Sequence, residues 1–244
     1  MKVVIIRHGL TEWSTRFTGW TDIDVIEQGV KDTRKFSSRL KEQGIIFDIA
    51  FTSYLKRGIR TLWTALDTID QMWIPVVKAW ALNERHYGAL QGLNKAETVA
   101  KYGETQVNLW RRSYDVPPPK LDDNDPRQAR LDIKYKNVNP SILPNGESLK
   151  DTYNRSVPYW KKFIEPEIKN GKNIILSGHH NSLRSIIKYL DNISNEDIVK
   201  LNVPYCIPLV YEFDKNLKQI KHYYLATNEE VQTVIDQIKN QTKK

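Results

Sequence analysis

The sequence predicts an α/β fold, a three-layer α/β/α sandwich around a mostly parallel central sheet. Three observations lead there. Strand-like and helix-like segments alternate along the chain, as they do when helices cover both faces of a parallel sheet. Val3-Val4-Ile5-Ile6 and Ile174-Ile175-Leu176 are short unbroken apolar runs, the pattern of strands buried on both faces. Each run gives way to histidine, His8 within Arg7-His8-Gly9 and His179 within Gly178-His179-His180-Asn181. Ligand sites in open α/β sheets lie where such strands end.

The elements follow in order. The opening strand breaks at Gly9, which lets the backbone turn sharply or approach a ligand closely. Glu27 to Gln43 reads as helix, with Gly44 as its stop. Phe47 to Phe51 reads as a second strand ending at Thr52-Ser53. The next helix carries Leu55, Ile59, Leu62, Trp63, Leu66 and Ile69 at spacings of three and four, so Trp63 is expected in the core. Gly58 within it costs roughly 1 kcal/mol against alanine. Val76 to Trp80 is a further strand. Between Pro117 and Gly146 the periodicity dissolves into a proline-, asparagine- and aspartate-rich stretch, expected to be a lid, a binding loop or disordered. Helical character returns near Glu147, where Pro158 and Pro166 are expected to kink or divide it. Asn173 to Ser177 is a buried strand, followed by a helix bearing Leu183, Ile186, Ile187 and Leu190. Late strands span Leu209 to Phe213 and Ile220 to Tyr224. A last helix after Asn228, with Val231, Val234, Ile235 and Ile238, reads as a docked tail.

At 244 residues, 40% hydrophobic and 27% charged, the chain suits one domain, 1–244, with 226–244 as a C-terminal tail. No run of about 18 apolar residues is present, so no membrane-spanning helix is expected. Val3 to Ile6 is too short for a signal-peptide core, and a single cysteine, Cys206, fits a reducing compartment; a cytoplasmic location is expected. Cys206 has no metal-ligand pattern beside it and reads as a small packed residue. A net charge of +8 points to anionic partners. No nucleic-acid module is recognisable, and Lys239 with Lys243-Lys244 is a weak cluster, so a small polyanion in a cationic cleft is favoured over nucleic acid.

The strand ends carry the chemistry. Two histidines far apart in the chain imply convergence in space. Arg57, at the start of the helix after the second strand, occupies a third carboxyl-end position. Arg7, His8, Arg57 and His179 suit a tetrahedral phosphoryl group, gripped by planar guanidinium donors while one imidazole attacks it. A metal site is the alternative, but no adjacent carboxylates complete a ligand set.

Further blocks extend this pattern: Arg16-Phe17-Thr18-Gly19-Trp20, Leu55-Lys56-Arg57, Asn83-Glu84-Arg85-His86-Tyr87-Gly88, Gly92-Leu93-Asn94-Lys95-Ala96-Glu97, Trp110-Arg111-Arg112 and Asn181-Ser182-Leu183-Arg184. With them the chain resembles the cofactor-dependent phosphoglycerate mutases of the histidine phosphatase superfamily, over residues 2 to 225. The resemblance implies that His8 becomes phosphohistidine, with Arg7, Arg57 and His179 around the transferring group. It implies Glu84 as acid/base for the substrate hydroxyl, a role that calls for partial burial. Tyr87, Lys95, Arg111 and Arg112 would bind the carboxylate and second phosphate, with Thr11, Ser14, Thr18, Gly19, His180 and Asn181 as further substrate contacts. The reaction implied is interconversion of 3- and 2-phosphoglycerate, primed by 2,3-bisphosphoglycerate and needing no metal, in a homodimer. The long polar loop and C-terminal tail would close over the site.

Four positions depart from the family. Leu10 stands where glutamate is usual, Thr11 replaces serine, and Ser14 replaces an asparagine contact with about two residues missing before Arg16. His180 occupies a glycine position beside the second histidine, where positive φ or close backbone approach would strain a side chain. A phosphomonoester phosphatase or a non-catalytic paralogue that binds phosphorylated ligands are the alternatives these changes raise. His86 is expected to make structural hydrogen bonds only.

Overall fold

A computed structural model describes residues 1–239; the last residues of the tail, with Lys243 and Lys244, lie outside the described residues. The strands are β1 (Lys2–Arg7), β2 (Ile49–Thr52), β3 (Val76–Lys78), β4 (Ile174–Gly178), β5 (Leu209–Phe213) and β6 (Gln219–Tyr224). They form one sheet in the order β3-β2-β4-β1-β5-β6. β1 to β4 are mutually parallel, and β5 and β6 add an antiparallel hairpin on one edge.

Alternate residues of the central strands supply two separate cores, because a strand's side chains point to opposite faces in turn. Val4, Ile6, Ala50 and Ile175 pack against Leu40 of α1 (Glu27–Glu42) and Leu62, Ala65 and Leu66 of α2 (Lys56–Thr68). Val3, Ile5, Phe51 and Leu176 face α7 (His180–Leu190), through Leu183, Ile186 and Ile187, and Trp160. Each fully buried Val, Leu, Ile or Phe side chain among these contributes about 1.5–3 kcal/mol. The expected three-layer α/β/α architecture is therefore the observed one.

Several elements differ from expectation. β3 ends at Lys78, and Trp80 lies in a 3₁₀ turn (Trp80–Leu82) that swings the following segment back over the sheet's carboxyl edge. Trp63 is not core. It is 46% exposed on the outer side of α2, with the Lys78 ammonium 5.8 Å from its ring centre. The core-facing positions are Leu62, Ala65, Leu66 and Ile69, which leaves residue 63 turned out of that stripe. Two helices without a sequence expectation, α3 (Lys95–Tyr102) and α4 (Glu104–Arg112), lie beside the site. Asn94 caps α3 by accepting from the Ala96 and Glu97 backbone. The proline-divided helix is α5 (Leu149–Tyr159), a π-helical stretch (Trp160–Ile164) and α6 (Glu165–Lys169): Pro158 lies inside α5 and Pro166 opens α6.

The stretch 117–146 is not the expected lid. It is tied down around Trp20, which stacks on Tyr135 at 5.0 Å. Asn83 donates to the Tyr135 hydroxyl (2.9 Å), Lys134 pairs with Asp22 (2.9 Å) and Arg127 donates to the Gln91 carbonyl (2.7 Å). None of its residues lines the site cavity. The final helix, α8 (Asn228–Lys239), packs Val231 and Val234 near Phe36 of α1, and Arg39 forks onto Glu230 with two contacts of 2.8 Å. Ile238 of α8 does reach the cavity. Cys206 is buried at 3.4 Å from Thr33 Oγ1, and burial pushes its thiol up to about 12.

Candidate active site

The site arises from strand register. β1 and β4 pair in parallel with Arg7 opposite Gly178, so the next residues, His8 and His179, emerge side by side. Their ring centres are 5.2 Å apart. β2 flanks β4, and Ser53, just past its end, sits 2.7 Å from His179 Nε2. Arg57, in the first turn of α2, is fully buried and donates to the carbonyls of Thr21 (2.9 Å) and Gly19 (2.7 Å). Arg7 donates to the Val203 carbonyl at 2.8 Å and lies 3.7 Å over the Tyr205 ring.

Proton positions follow from the partners. His8 Nδ1 is 2.8 Å from the Gly9 carbonyl, which can only accept, so Nδ1 carries the hydrogen and Nε2 keeps its lone pair. Burial, then Arg57 and Arg7, hold the His8 pKa well below the ordinary imidazole value, so the ring is neutral at neutral pH. Burial and Arg57 do the same to His179. Arg57 is brought down to about 10, chiefly by burial, and remains a cation.

Gly58 is required by this geometry. A Cβ there would lie 2.9 Å from Ser53 Oγ and 3.3 Å from His179 Nε2. Gly58→Ala is expected to gain helix propensity of about 1 kcal/mol yet displace the Ser53–His179 pair. Turnover should fall roughly ten-fold to a hundred-fold with little change in melting temperature. Steady-state kinetics beside a thermal melt checks this; a variant of unchanged turnover would show that the pair is dispensable.

Glu84 hangs over the same edge. Its Oε1 accepts from the backbone N–H of Arg85 (2.8 Å) and of Asn181 (2.9 Å). These two bonds orient the carboxylate and leave Oε2 as the oxygen available for proton exchange. The segment itself is held by Arg155, which donates to the carbonyls of Ala81, Asn83 and Glu84 and forks onto Glu147 at 2.6 and 2.8 Å. His86 is buried, accepts from the Gly88 backbone at 3.0 Å and is lowered to about 3 by burial and Arg155.

The cavity gathers nearly every expected residue. Arg7, His8, Thr11, Ser14, Thr18, Gly19, Arg57, Glu84, Tyr87, Lys95, Arg111, Arg112, His180 and Asn181 line it, and His179 lies buried beneath. Sequence reasoning missed Trp13, Arg16, Phe17, Tyr205 and Ile238 as lining residues. Arg16 and Phe17 sit within a block already singled out; Tyr205 and Ile238 carry no local signal. Among the described residues, no group of three or more His, Cys, Asp or Glu could hold a metal.

The departures are local in effect. Leu10 lies outside the cavity, in a groove between α1 and α8. Ser14 keeps the rim closed, its carbonyl accepting from Lys95 Nζ at 2.6 Å. His180 is the first residue of α7 and is absent from the residues with positive φ, so the expected backbone strain does not arise. Its ring lines the cavity, with Nε2 buried and unpartnered.

Lys95 is lowered to about 7 by burial, then by Arg111, Arg7 and Arg112. A polyanion favours its charged form, so anion binding near pH 7.5 should take up a proton and weaken as pH rises from about 7 to 9. Calorimetry in buffers of different ionisation enthalpy reads the uptake, and Lys95→Arg should remove most of it. For stability the sign is opposite to that of a paired lysine. The folded pKa lies below the ordinary 10.5, so this destabilising contribution fades as pH rises between those values.

A strand-end imidazole among guanidiniums marks a phosphoryl-transfer class, and sequence comparison agrees. The model for the histidine phosphatase superfamily (branch 1) matches residues 3–226, and the chain belongs to that superfamily. It is 52% identical over 244 residues to a 2,3-bisphosphoglycerate-dependent phosphoglycerate mutase of Parabacteroides distasonis, covering 99% of this chain and 98% of that one. The fold is shared with a mycobacterial glucosyl-3-phosphoglycerate phosphatase, at TM-score 0.65, 19% identity, 91% of this chain and 96% of that one. An α-ribazole phosphatase of Shigella flexneri gives 0.64, 18%, 91% and 95%.

Proposed function

We propose that this chain interconverts 3-phosphoglycerate and 2-phosphoglycerate through phosphorylated His8, in the glycolytic and gluconeogenic direction alike. The observation that carries this reading is the two-ended charge of the cavity. Arg7 and Arg57 flank His8 at one end, and Lys95, Arg111 and Arg112 supply cations for a second anionic group. Glu84 is the one carboxylate among the described residues that line the cavity. Arg7 Nε and Arg57 Nε are buried with no partner, so both guanidiniums keep donor capacity that the surrounding protein does not use. These groups fit 2,3-bisphosphoglycerate, which supplies the phosphoryl group that primes the enzyme.

The chain's own residues then do the chemistry. With His8 phosphorylated, Glu84 takes the proton of the substrate hydroxyl as its oxygen attacks phosphorus and the N–P bond breaks. In the return transfer His8 Nε2 attacks the other phosphate, the P–O bond breaks, and Glu84 returns the proton to the leaving oxygen. Arg7, Arg57 and His179 stabilise the charge on the phosphoryl oxygens in both directions. Tyr87, Lys95, Arg111 and Arg112 hold the carboxylate and second phosphate, and Thr11, Ser14, Thr18, Gly19, His180 and Asn181 complete the contacts. A cytoplasmic location and a homodimer belong to the same reading; sedimentation reads the second. No helix among the described residues is long and apolar enough to cross a membrane.

A phosphorus NMR time course with 3-phosphoglycerate and a trace of 2,3-bisphosphoglycerate tests the proposal. Growth of the 2-phosphoglycerate signal that depends on the bisphosphate is the expected result. Free phosphate instead would make the chain a phosphatase, and an unchanged spectrum a binder.

A further inference from the structure

Asn181 lines the cavity, and its side-chain amide has two unlike ends. Arg184, three residues further along α7 and buried, donates from Nη1 to Asn181 Oδ1 at 2.9 Å and from Nη2 to the Ile198 carbonyl at 2.6 Å. A guanidinium has donors only, so the amide atom it faces is the oxygen. Nδ2 is thereby turned the other way, 3.4 Å from the hydroxyl of Tyr87, another lining residue. Arg184 makes no hydrogen bond to a carboxylate among the described residues. A tie between a helix and a carbonyl does not need a buried cation, and this one is costly: burial, then Arg112 and Arg85, disfavour its charge more than Tyr87 and the unbonded Glu84 carboxylate support it.

We propose that Arg184 is a positioning residue that fixes the polarity of Asn181, so that the cavity meets an amide N–H and never the amide oxygen. The inference rests on the phosphoglycerate reading, in which the ligand presents anionic oxygens. An amide free to flip would place lone pairs against those oxygens in a poorly solvated site. An amide preset by Arg184 spends nothing on reorientation when the ligand binds.

Three variants test this by kinetics with 3-phosphoglycerate. Arg184→Met keeps the aliphatic stem and removes the donors; KM should rise about ten-fold while kcat changes little, the signature of a lost binding contact. Asn181→Ala should cost a similar factor, and the double variant no more than about two-fold beyond it, because Arg184 acts through Asn181. Asn181→Asp keeps the bond to Arg184 and turns a carboxylate oxygen toward the substrate; KM should rise by about a hundred-fold. Effects of Arg184→Met and Asn181→Ala that multiply would overturn the proposal. So would wild-type KM in Asn181→Asp, which also decides the matter if Arg184→Met does not fold. A wild-type chain that does not turn over 3-phosphoglycerate would count against the function reading. Vanadate binding to the same variants, expected in the same order, then tests the amide polarity alone.

Discussion

Replacing His8 by alanine is expected to lower mutase turnover by four or more orders of magnitude, on the scale seen when a covalent nucleophile is removed. The reason is structural as well as chemical. His8 Nε2 is free because Nδ1 is tied to the Gly9 carbonyl, and the ring is neutral because burial and two guanidiniums oppose its protonation. His179 lies 5.2 Å away, but its Nε2 is paired with Ser53, so it cannot take over the attack. The cations that bind ligand are untouched, and calorimetry should find 2,3-bisphosphoglycerate still bound by the variant. Acid-labile phosphate on the protein, present in the wild type, should be absent. Retained turnover would refute His8 as nucleophile.

The largest expected effect on stability comes from a residue remote from the reacting atoms. Arg155→Met should lower unfolding free energy by about 3–5 kcal/mol in urea titrations, the usual cost of breaking a buried ion pair. It strands the Glu147 carboxylate, which is 3% exposed, and removes the donor from the carbonyls of Ala81, Asn83 and Glu84. His86 N–H also bonds Glu147, so both sides of the Glu84 segment loosen together. Turnover should fall with stability. Arg155→Met combined with Glu147→Met should recover part of the lost stability, since no charge is then left buried and unpaired, whereas turnover should not return. A variant as stable as the wild type would show that the pair contributes nothing net.

The chemistry was legible because it sits on local signals. Apolar runs that end in histidine locate His8 and His179 without any tertiary knowledge, and Arg57 follows from the next strand–helix junction. The blocks around Glu84, Lys95, Arg111 and Asn181 carry their resemblance in a few consecutive residues. Other features have no such signature. Trp63 shares the apolar spacing of its helix, and only the packing of α2 on the sheet turns it outward. The stretch 117–146 has the composition of a lid, but Tyr135, stacked on Trp20, anchors it away from the cavity. His180 stands at a position where the resemblance expects glycine, which suggests strain; the backbone places it in the first turn of α7 without positive φ, where a side chain is admitted.

By itself the sequence determined the layer architecture, the strand-end residues that meet at the site and the excess of cations there. Periodicity and strand ends are properties of short segments, and short segments are what a chain specifies locally. Only the tertiary structure decided which nitrogen of His8 is free, which end of the Asn181 amide Arg184 holds, which carbonyls the buried Arg155 and Arg184 tie down, and that Tyr205 and Ile238 line the cavity. Each of these depends on hydrogen bonds or contacts between residues distant in the chain or on the way a helix is turned in its packing, and no local pattern encodes such partners.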